Sequence, residues 1–81
     1  MLEMKVKVSK KNIRDGTVDS ATCPIALAIR DTVGENTDIQ VNDDTIQFGN
    51  LIFVTPKKAV RFINRFDNSE KVKPFEFTLK G

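Results

Sequence analysis

The chain has 81 residues, 30% of them charged, and its formal net charge at pH 7 is +2. It contains one cysteine and no histidine, which excludes an intrachain disulfide and a zinc site built from the usual cysteine and histidine ligands. This length fits one domain, over residues 1–81, with a small core, so we expect tight packing or self-association into a homo-oligomer.

The first residues alternate between apolar and charged side chains, which predicts a half-buried strand. The apolar positions are Leu2, Met4, Val6 and Val8. Ser9 is a suitable N-cap for a single helical turn that Ile13 anchors and Gly16 closes.

The next predicted element is a helix that begins at Pro24. A residue before proline avoids the helical backbone, so Cys23 is predicted to be the N-cap, and Gly34 is predicted to end the helix. The apolar stripe contains Ile25, Ala28, Ile29 and Val33. The Cys23 thiol is either activated by the positive end of the helix or a small buried hydrophobic group, and the sequence favours burial.

The stretch TDIQVNDDTIQFGNLIFVTP predicts three strands in an antiparallel meander. Turns are predicted at residues 42–44 and at Gly49-Asn50. The continuous apolar run LIFV, residues 51–54, predicts a central strand that is buried on both faces.

A second helix is predicted to follow, with Thr55 as its N-cap and Pro56 in its first turn. Its apolar face comprises Ala59, Phe62, Ile63 and Phe66. The final segment alternates through Phe75, Phe77 and Leu79, and Pro74 before it marks a strand start or a sheet edge.

The predicted order is therefore β-α-β-β-β-α-β. It describes an α+β fold with a mainly antiparallel sheet of four to five strands and two short helices on one face. No apolar run is long enough for a signal peptide or a membrane span, and a single cysteine fits a reducing compartment. We expect a cytoplasmic protein with no membrane partner.

The sequence lacks most of the side chains that enzymes commonly use for catalysis. Histidine, tyrosine and tryptophan are absent, and the adjacent Asp43 and Asp44 are typical of a turn. The chain has no Walker motif and no dinucleotide fingerprint. We expect a binding protein that is not an enzyme and has no cofactor; a thiol enzyme acting through Cys23 is the alternative.

Two features indicate a ligand that carries phosphate. The second helix carries Lys58 and three further cations, Lys57, Arg61 and Arg65, which recur at helical spacing and form a cationic ridge; the alternative is an ordinary solvated face. The second feature is the start of the first long helix, where the hydroxyls of Ser20 and Thr22 and the free amides predict an anion cradle.

Aromatic side chains are the remaining binding candidates. Phe75 and Phe77 lie on a possible edge strand and are candidates for stacking a base, although all six phenylalanines fall at positions that suit burial. The same edge strand is a candidate for pairing with another chain.

Four stretches of the sequence, KVKVSKKNI, CPIALAIRD, FINRFD and VKPFEF, resemble a set of small accessory proteins of tailed bacteriophages. The similarity covers nearly the whole chain and is most specific at residues 23–28, 62–63, 66–67 and 74–77. It implies a phage protein that acts in the host bacterial cytoplasm. Small phage proteins of this kind often inhibit host factors or neutralise anti-phage defences, some by sequestering nucleotide immune signals.

These observations predict a non-enzymatic phage binding protein that counters a host or defence function by sequestering a phosphate-bearing small molecule. One alternative is a protein–protein inhibitor of a host enzyme, which would use the edge strand or the acidic middle segment. Residues 15–44 carry a net charge of −6, against +4 in each flanking segment. Another alternative is a small nucleic-acid-binding accessory factor.

Overall fold

In the computed structural model, residues 3–34 and 38–80 are described, and these ranges form three helices and five strands. In chain order the elements are β1 (Glu3–Val8), α1 (Lys10–Asp15), α2 (Pro24–Val33), β2 (Ile39–Val41), β3 (Thr45–Phe48), β4 (Leu51–Val54), α3 (Lys57–Asp67) and β5 (Phe75–Lys80). The predicted α+β class is confirmed. Leu2, predicted on the apolar side of the first strand, lies outside the described residues. No helix within the described ranges is both long enough and apolar enough to cross a membrane.

The strands form two antiparallel sheets instead of one. In the first sheet β1 pairs with β5 along its whole length, from Glu3 opposite Lys80 to Val8 opposite Phe75. The second sheet is the predicted meander β2-β3-β4, and its turns fall at residues 42–44 and 49–50 as predicted. The two sheets meet where β4 lies beside β5, without a hydrogen-bonded register between these two described strands.

One hydrophobic core joins both sheets and the helices. Val6 of β1, Leu79 of β5 and Ile46 of β3 have no exposed surface, and the same is true of Ile25 and Ile29 in α2. Burying each of these side chains stabilises the fold by about 1.5–3 kcal/mol. Because α2 packs against both β1 and β2, this helix connects the two sheets through the core.

Strand β4 is exposed on one face, so the prediction of a central strand buried on both faces is wrong. Phe53 is 3% exposed, whereas Ile52 and Val54 are 65% and 76% exposed. Among the described strands, β4 ends the meander with β3 as its one hydrogen-bonded partner, and the core covers one face of that sheet. A continuous apolar run cannot distinguish a strand covered on two faces from one whose outer face is open.

The predicted caps of the first two helices are present. Ser9 caps α1, and Cys23 has a non-helical backbone before Pro24, the first residue of α2. The buried residue of α1 is Asn12, at 4% exposure, whereas the predicted anchor Ile13 is only partly buried. Asn12 can be buried because the polar atoms of its side chain are hydrogen-bonded to neighbours.

The end of α1 depends on close packing at a glycine. Gly16 ends α1 as predicted, but its φ of −76° is not the left-handed conformation that usually selects glycine there. A Cβ atom at Gly16 would lie 2.5 Å from Cδ of Pro24. Glycine is required at this position because the start of α2 approaches its backbone too closely for a side chain.

Helix α3 starts one residue later than predicted, because Pro56 and not Thr55 is its N-cap. Thr55 is 6% exposed, and its hydroxyl donates a hydrogen bond of 2.8 Å to the carbonyl oxygen of Asn42. Its amide donates to the carbonyl oxygen of Asp44 at 3.0 Å. The threonine therefore ties the end of β4 to the β2–β3 turn, and its hydroxyl makes no capping hydrogen bond to α3.

Candidate functional site

Helix α3 has an apolar face in the core and a cationic face in solvent. Ala59 and Phe62 are buried, which fixes the rotation of the helix about its axis. Lys58 and the three cations of the predicted ridge are all exposed: Lys57, Arg61 and Arg65. The structure thus leaves all four side chains accessible to a ligand.

A groove of about 390 Å³ lies between α3 and the irregular segment before β5, and we call it the basic groove. Its lining residues are Lys58, Arg61, Phe62, Arg65, Lys71, Val72, Lys73, Pro74 and Phe75. The ridge therefore supplies only one of two cationic walls. Lys71 and Lys73 supply the other wall, and sequence reasoning missed them because they lie in a stretch without helical or strand periodicity.

In the described part of the chain, the cations of the basic groove form no salt bridge: one salt bridge joins Lys5 to Glu76 at 3.3 Å, and the other joins Arg14 to Asp15 at 3.2 Å. The Lys58 ammonium donates to the main-chain carbonyl of Glu76 at 3.3 Å, which leaves its charge unpaired. Like charges that share a groove without counter-ions favour the binding of an anion.

Phenylalanine rings form the floor of the basic groove. The Phe75 ring lies 4.7 Å from the Phe62 ring and 5.5 Å from the Phe77 ring, measured between centroids. Phe77 is 4% exposed and faces the core beside Val6 of β1, so it cannot stack an incoming base as predicted. Phe75 is partly buried and already packs on two rings, so it contributes apolar floor to the groove.

Lys57 lies apart from the basic groove. It lines an adjoining groove at the start of α3, which contains Lys5 and Glu76 and shares only Lys58 with the basic groove. Because the Glu76 carboxylate is present there and pairs with Lys5, this second groove is partly neutralised. The structure therefore separates Lys57 from the other two cations of the predicted ridge and places Lys58 with them instead.

The predicted anion cradle at the start of α2 is not supported by its surroundings. Ser20 lines a cleft of about 240 Å³, to which Asp19, Asp43 and Asp67 also contribute. The Thr22 hydroxyl is paired with the Thr17 hydroxyl at 2.6 Å and lies outside the lining of that cleft. The acidic residues come from three separate parts of the chain that only the fold brings together, and their charge repels an anion.

Cys23 also lines this cleft, and its environment is that of an inert thiol. It is 9% exposed, and its Sγ accepts a hydrogen bond from the amide of Ala26 at 3.4 Å. Burial raises the pKa of the thiol above its ordinary value of 9.0; the charge of Asp67 adds to the rise, and the hydrogen bond from Ala26 opposes it. The rise is opposite to the shift that activates a thiol, so the structure favours the interpretation of Cys23 as a buried hydrophobic group. Among the described residues, no group of Cys, Asp and Glu side chains is placed to hold a metal ion.

No protein-family model, curated protein or solved structure matches this chain. The basic groove is consequently identified by its own geometry and charge.

Proposed function

We propose that this chain is a non-catalytic binding protein whose basic groove holds a phosphate-bearing ligand. The observation that carries the proposal is the convergence of five cationic side chains, from α3 and from the segment before β5, on one groove without a paired carboxylate in the described residues. A phosphate group carries a charge of about −1.5 to −2 at neutral pH and presents several acceptor oxygens. It is complementary to the charge and to the donors of this groove.

The second wall distinguishes this groove from an ordinary solvated helix face. A helix with one apolar face commonly has lysine and arginine on the other, and such residues need no ligand. Here Lys71 and Lys73 lie outside the helix and still line the groove with Arg61 and Arg65. Arginine contributes a planar guanidinium whose two parallel N–H groups match two phosphate oxygens, whereas a lysine ammonium acts as a point charge.

The resemblance to phage accessory proteins suggests why a phage would use a protein that binds phosphate-bearing ligands. A phage protein that holds a nucleotide without converting it would remove an immune signal from the host cytoplasm, and we propose sequestration of such a signal as the function. Homo-oligomerisation, inhibition of a host protein and binding of nucleic acid stay predictions.

The test compares two charge-matched double variants. Arg61→Gln with Arg65→Gln removes two cations from the groove, whereas Lys10→Gln with Lys11→Gln removes two exposed cations from α1. Binding of cyclic and linear nucleotides is measured by calorimetry and by the ligand-induced rise in melting temperature. We expect the groove variant to lose about tenfold or more in affinity and the α1 control about twofold or less, since charge-assisted hydrogen bonds contribute more than distant charges.

Equal losses in the two double variants would show that general positive charge, and not the groove, attracts the ligand. The proposal of a phosphate-binding protein is wrong if none of the nucleotides or inorganic phosphates binds the unaltered protein.

A further inference from the structure

The basic groove offers hydrogen-bond donors but no side-chain acceptors. The described residues that line it are lysines, arginines, phenylalanines, a valine and a proline. Lysine and arginine side chains only donate, and the other side chains do neither. The amino groups of adenine and cytosine are donors, so reading them requires acceptors, which no side chain of this lining supplies. Phosphate oxygens only accept, and they match this lining.

Stacking of a base is also disfavoured by the aromatic geometry. Phe62 is 7% exposed, and the rings of Phe62 and Phe75 are stacked on each other at 4.7 Å with an angle of 26° between their planes. Phe75 makes a second stacked contact with Phe77 at 5.5 Å. These rings hold one another in place, and stacking recognition of single-stranded nucleic acid needs aromatic faces that are open to bases.

The number of cations indicates the size of the ligand. Five cationic side chains line the groove, whereas one phosphate group supplies about two negative charges at neutral pH. A monophosphate therefore neutralises fewer than half of them. Along α3, Lys58, Arg61 and Arg65 follow one another at three- and four-residue spacing, which separates neighbouring Cβ atoms by about 5–6 Å. The three side chains are spread over about 10 Å of the helix, so linked phosphates can contact more of them than one phosphate can.

Building on the proposed function, we infer that the groove binds a chain of linked phosphates and recognises the phosphates without reading the base. The wall of α3 holds one part of the chain, and Lys71 and Lys73 hold the next phosphates from the opposite side. Affinity then depends on the number of linked phosphates, and the attached nucleoside contributes little.

Recognition of linked phosphates is tested by measuring the affinity of the protein for a panel of anions. The panel contains inorganic phosphate, pyrophosphate, tripolyphosphate, the four ribonucleoside triphosphates and a short single-stranded oligothymidylate. We expect tripolyphosphate to bind at least about tenfold more tightly than phosphate, because each added phosphate reaches further cations. The four triphosphates should agree within about threefold, since a base edge that is read would discriminate by more. If tripolyphosphate binds more tightly than the oligonucleotide, the preferred ligand is a chain of phosphate anhydrides. If the oligonucleotide binds more tightly, the preferred ligand is a phosphodiester chain.

A matched pair of variants tests the role of the second wall. Lys71→Gln with Lys73→Gln should lower the affinity for tripolyphosphate about tenfold and that for phosphate about twofold or less, while Lys10→Gln with Lys11→Gln should change neither by more than about twofold. All four lysines are exposed, so the variants are expected to fold.

The inference is overturned if phosphate binds as tightly as tripolyphosphate, or if one base is preferred by more than about tenfold. Either result would leave the proposed phosphate-binding function intact. If no member of the panel binds, the proposed function and this inference fail together.

Discussion

Replacing Asn12 by aspartate should make the free energy of unfolding depend on pH, through the contact between residues 12 and 31. The buried Asn12 Oδ1 accepts hydrogen bonds from the amide and the hydroxyl of Ser9, both at 2.9 Å, and its Nδ2 donates to Oδ2 of Asp31 at 3.0 Å. Asn12→Asp keeps the shape and the acceptor but replaces the donor by a second carboxylate oxygen. Two carboxylates at that distance cannot both be ionised without repulsion.

The largest loss of stability to expect is the free energy of keeping the new carboxyl at position 12 protonated near neutral pH. Keeping a carboxyl protonated at about pH 7, against an ordinary pKa of about 3.9, costs roughly 4 kcal/mol. Asp31 is exposed and can turn to water, in which case the cost is the lost hydrogen bond to a charged group, about 1.5–3 kcal/mol. We therefore expect Asn12→Asp to lower the free energy of unfolding by about 2–3 kcal/mol near neutral pH.

The sign of the pH dependence follows from the raised pKa of the new carboxyl in the folded state. Its protonated form can donate to Asp31 as the amide does, so stability is retained at low pH and is lost as the pH rises through the folded-state pKa. The deficit should shrink to about 1 kcal/mol or less near pH 4. The assay is urea denaturation followed by far-ultraviolet circular dichroism, because the chain has no tryptophan or tyrosine.

The double variant Asn12→Asp with Asp31→Asn exchanges donor and acceptor and serves as the control. The carboxylate at position 12 would then accept hydrogen bonds from Ser9 and from the new amide, and stability near neutral pH should return to within about 1 kcal/mol of the unaltered protein. A deficit that is the same at both pH values, or that the exchange does not repair, would refute the assignment of the Asn12–Asp31 contact.

Four further predictions test the packing. Gly16→Ala should cost about 1–3 kcal/mol in urea denaturation, because its Cβ would overlap the ring of Pro24; a neutral result would disprove that close approach. Alkylation of Cys23 by iodoacetamide should be much slower in the native than in the unfolded protein, since burial raises the pKa of the thiol, and rapid native labelling would contradict this. Because the protonated thiol is favoured in the folded state, stability should also fall as the pH rises past 9.0. Ile52→Thr should change the free energy of unfolding by less than about 0.5 kcal/mol because Ile52 is exposed. Phe53→Ala should lower it by about 3–5 kcal/mol because Phe53 is buried. Similar costs for both would mean that the outer face of β4 is covered in solution.

Local patterns predicted most of the elements because they depend on neighbouring residues. A proline after Cys23 and a glycine at position 34 bound α2 on backbone grounds alone, and Gly34 adopts a positive φ of 117°, which residues with a side chain rarely take. The alternation in β1 and β5 predicted which side chains enter the core. The spacing of residues along α3 likewise predicted which of its faces carries charge.

The errors arise where a residue's partner is distant in sequence. Thr55 looked like a cap, but its hydroxyl is used by Asn42 in another turn. Ser20 looked like part of an anion site until the fold brought Asp43 and Asp67 to the same cleft. Asn42, Asp43 and Asp67 are all distant in sequence from the residue they affect, so no local pattern could have predicted these contacts.

The sequence by itself determined the fold class, the caps of α1 and α2 and the cationic face of α3, because backbone preferences and apolar periodicity act over a few residues. Only the tertiary structure decided that Lys71 and Lys73 line the same groove as Arg61 and Arg65, that Phe77 is buried and that β4 is open on one side. The physical reason is that electrostatic and hydrophobic interactions act through space, and the fold sets which charges share a groove and which apolar faces are covered.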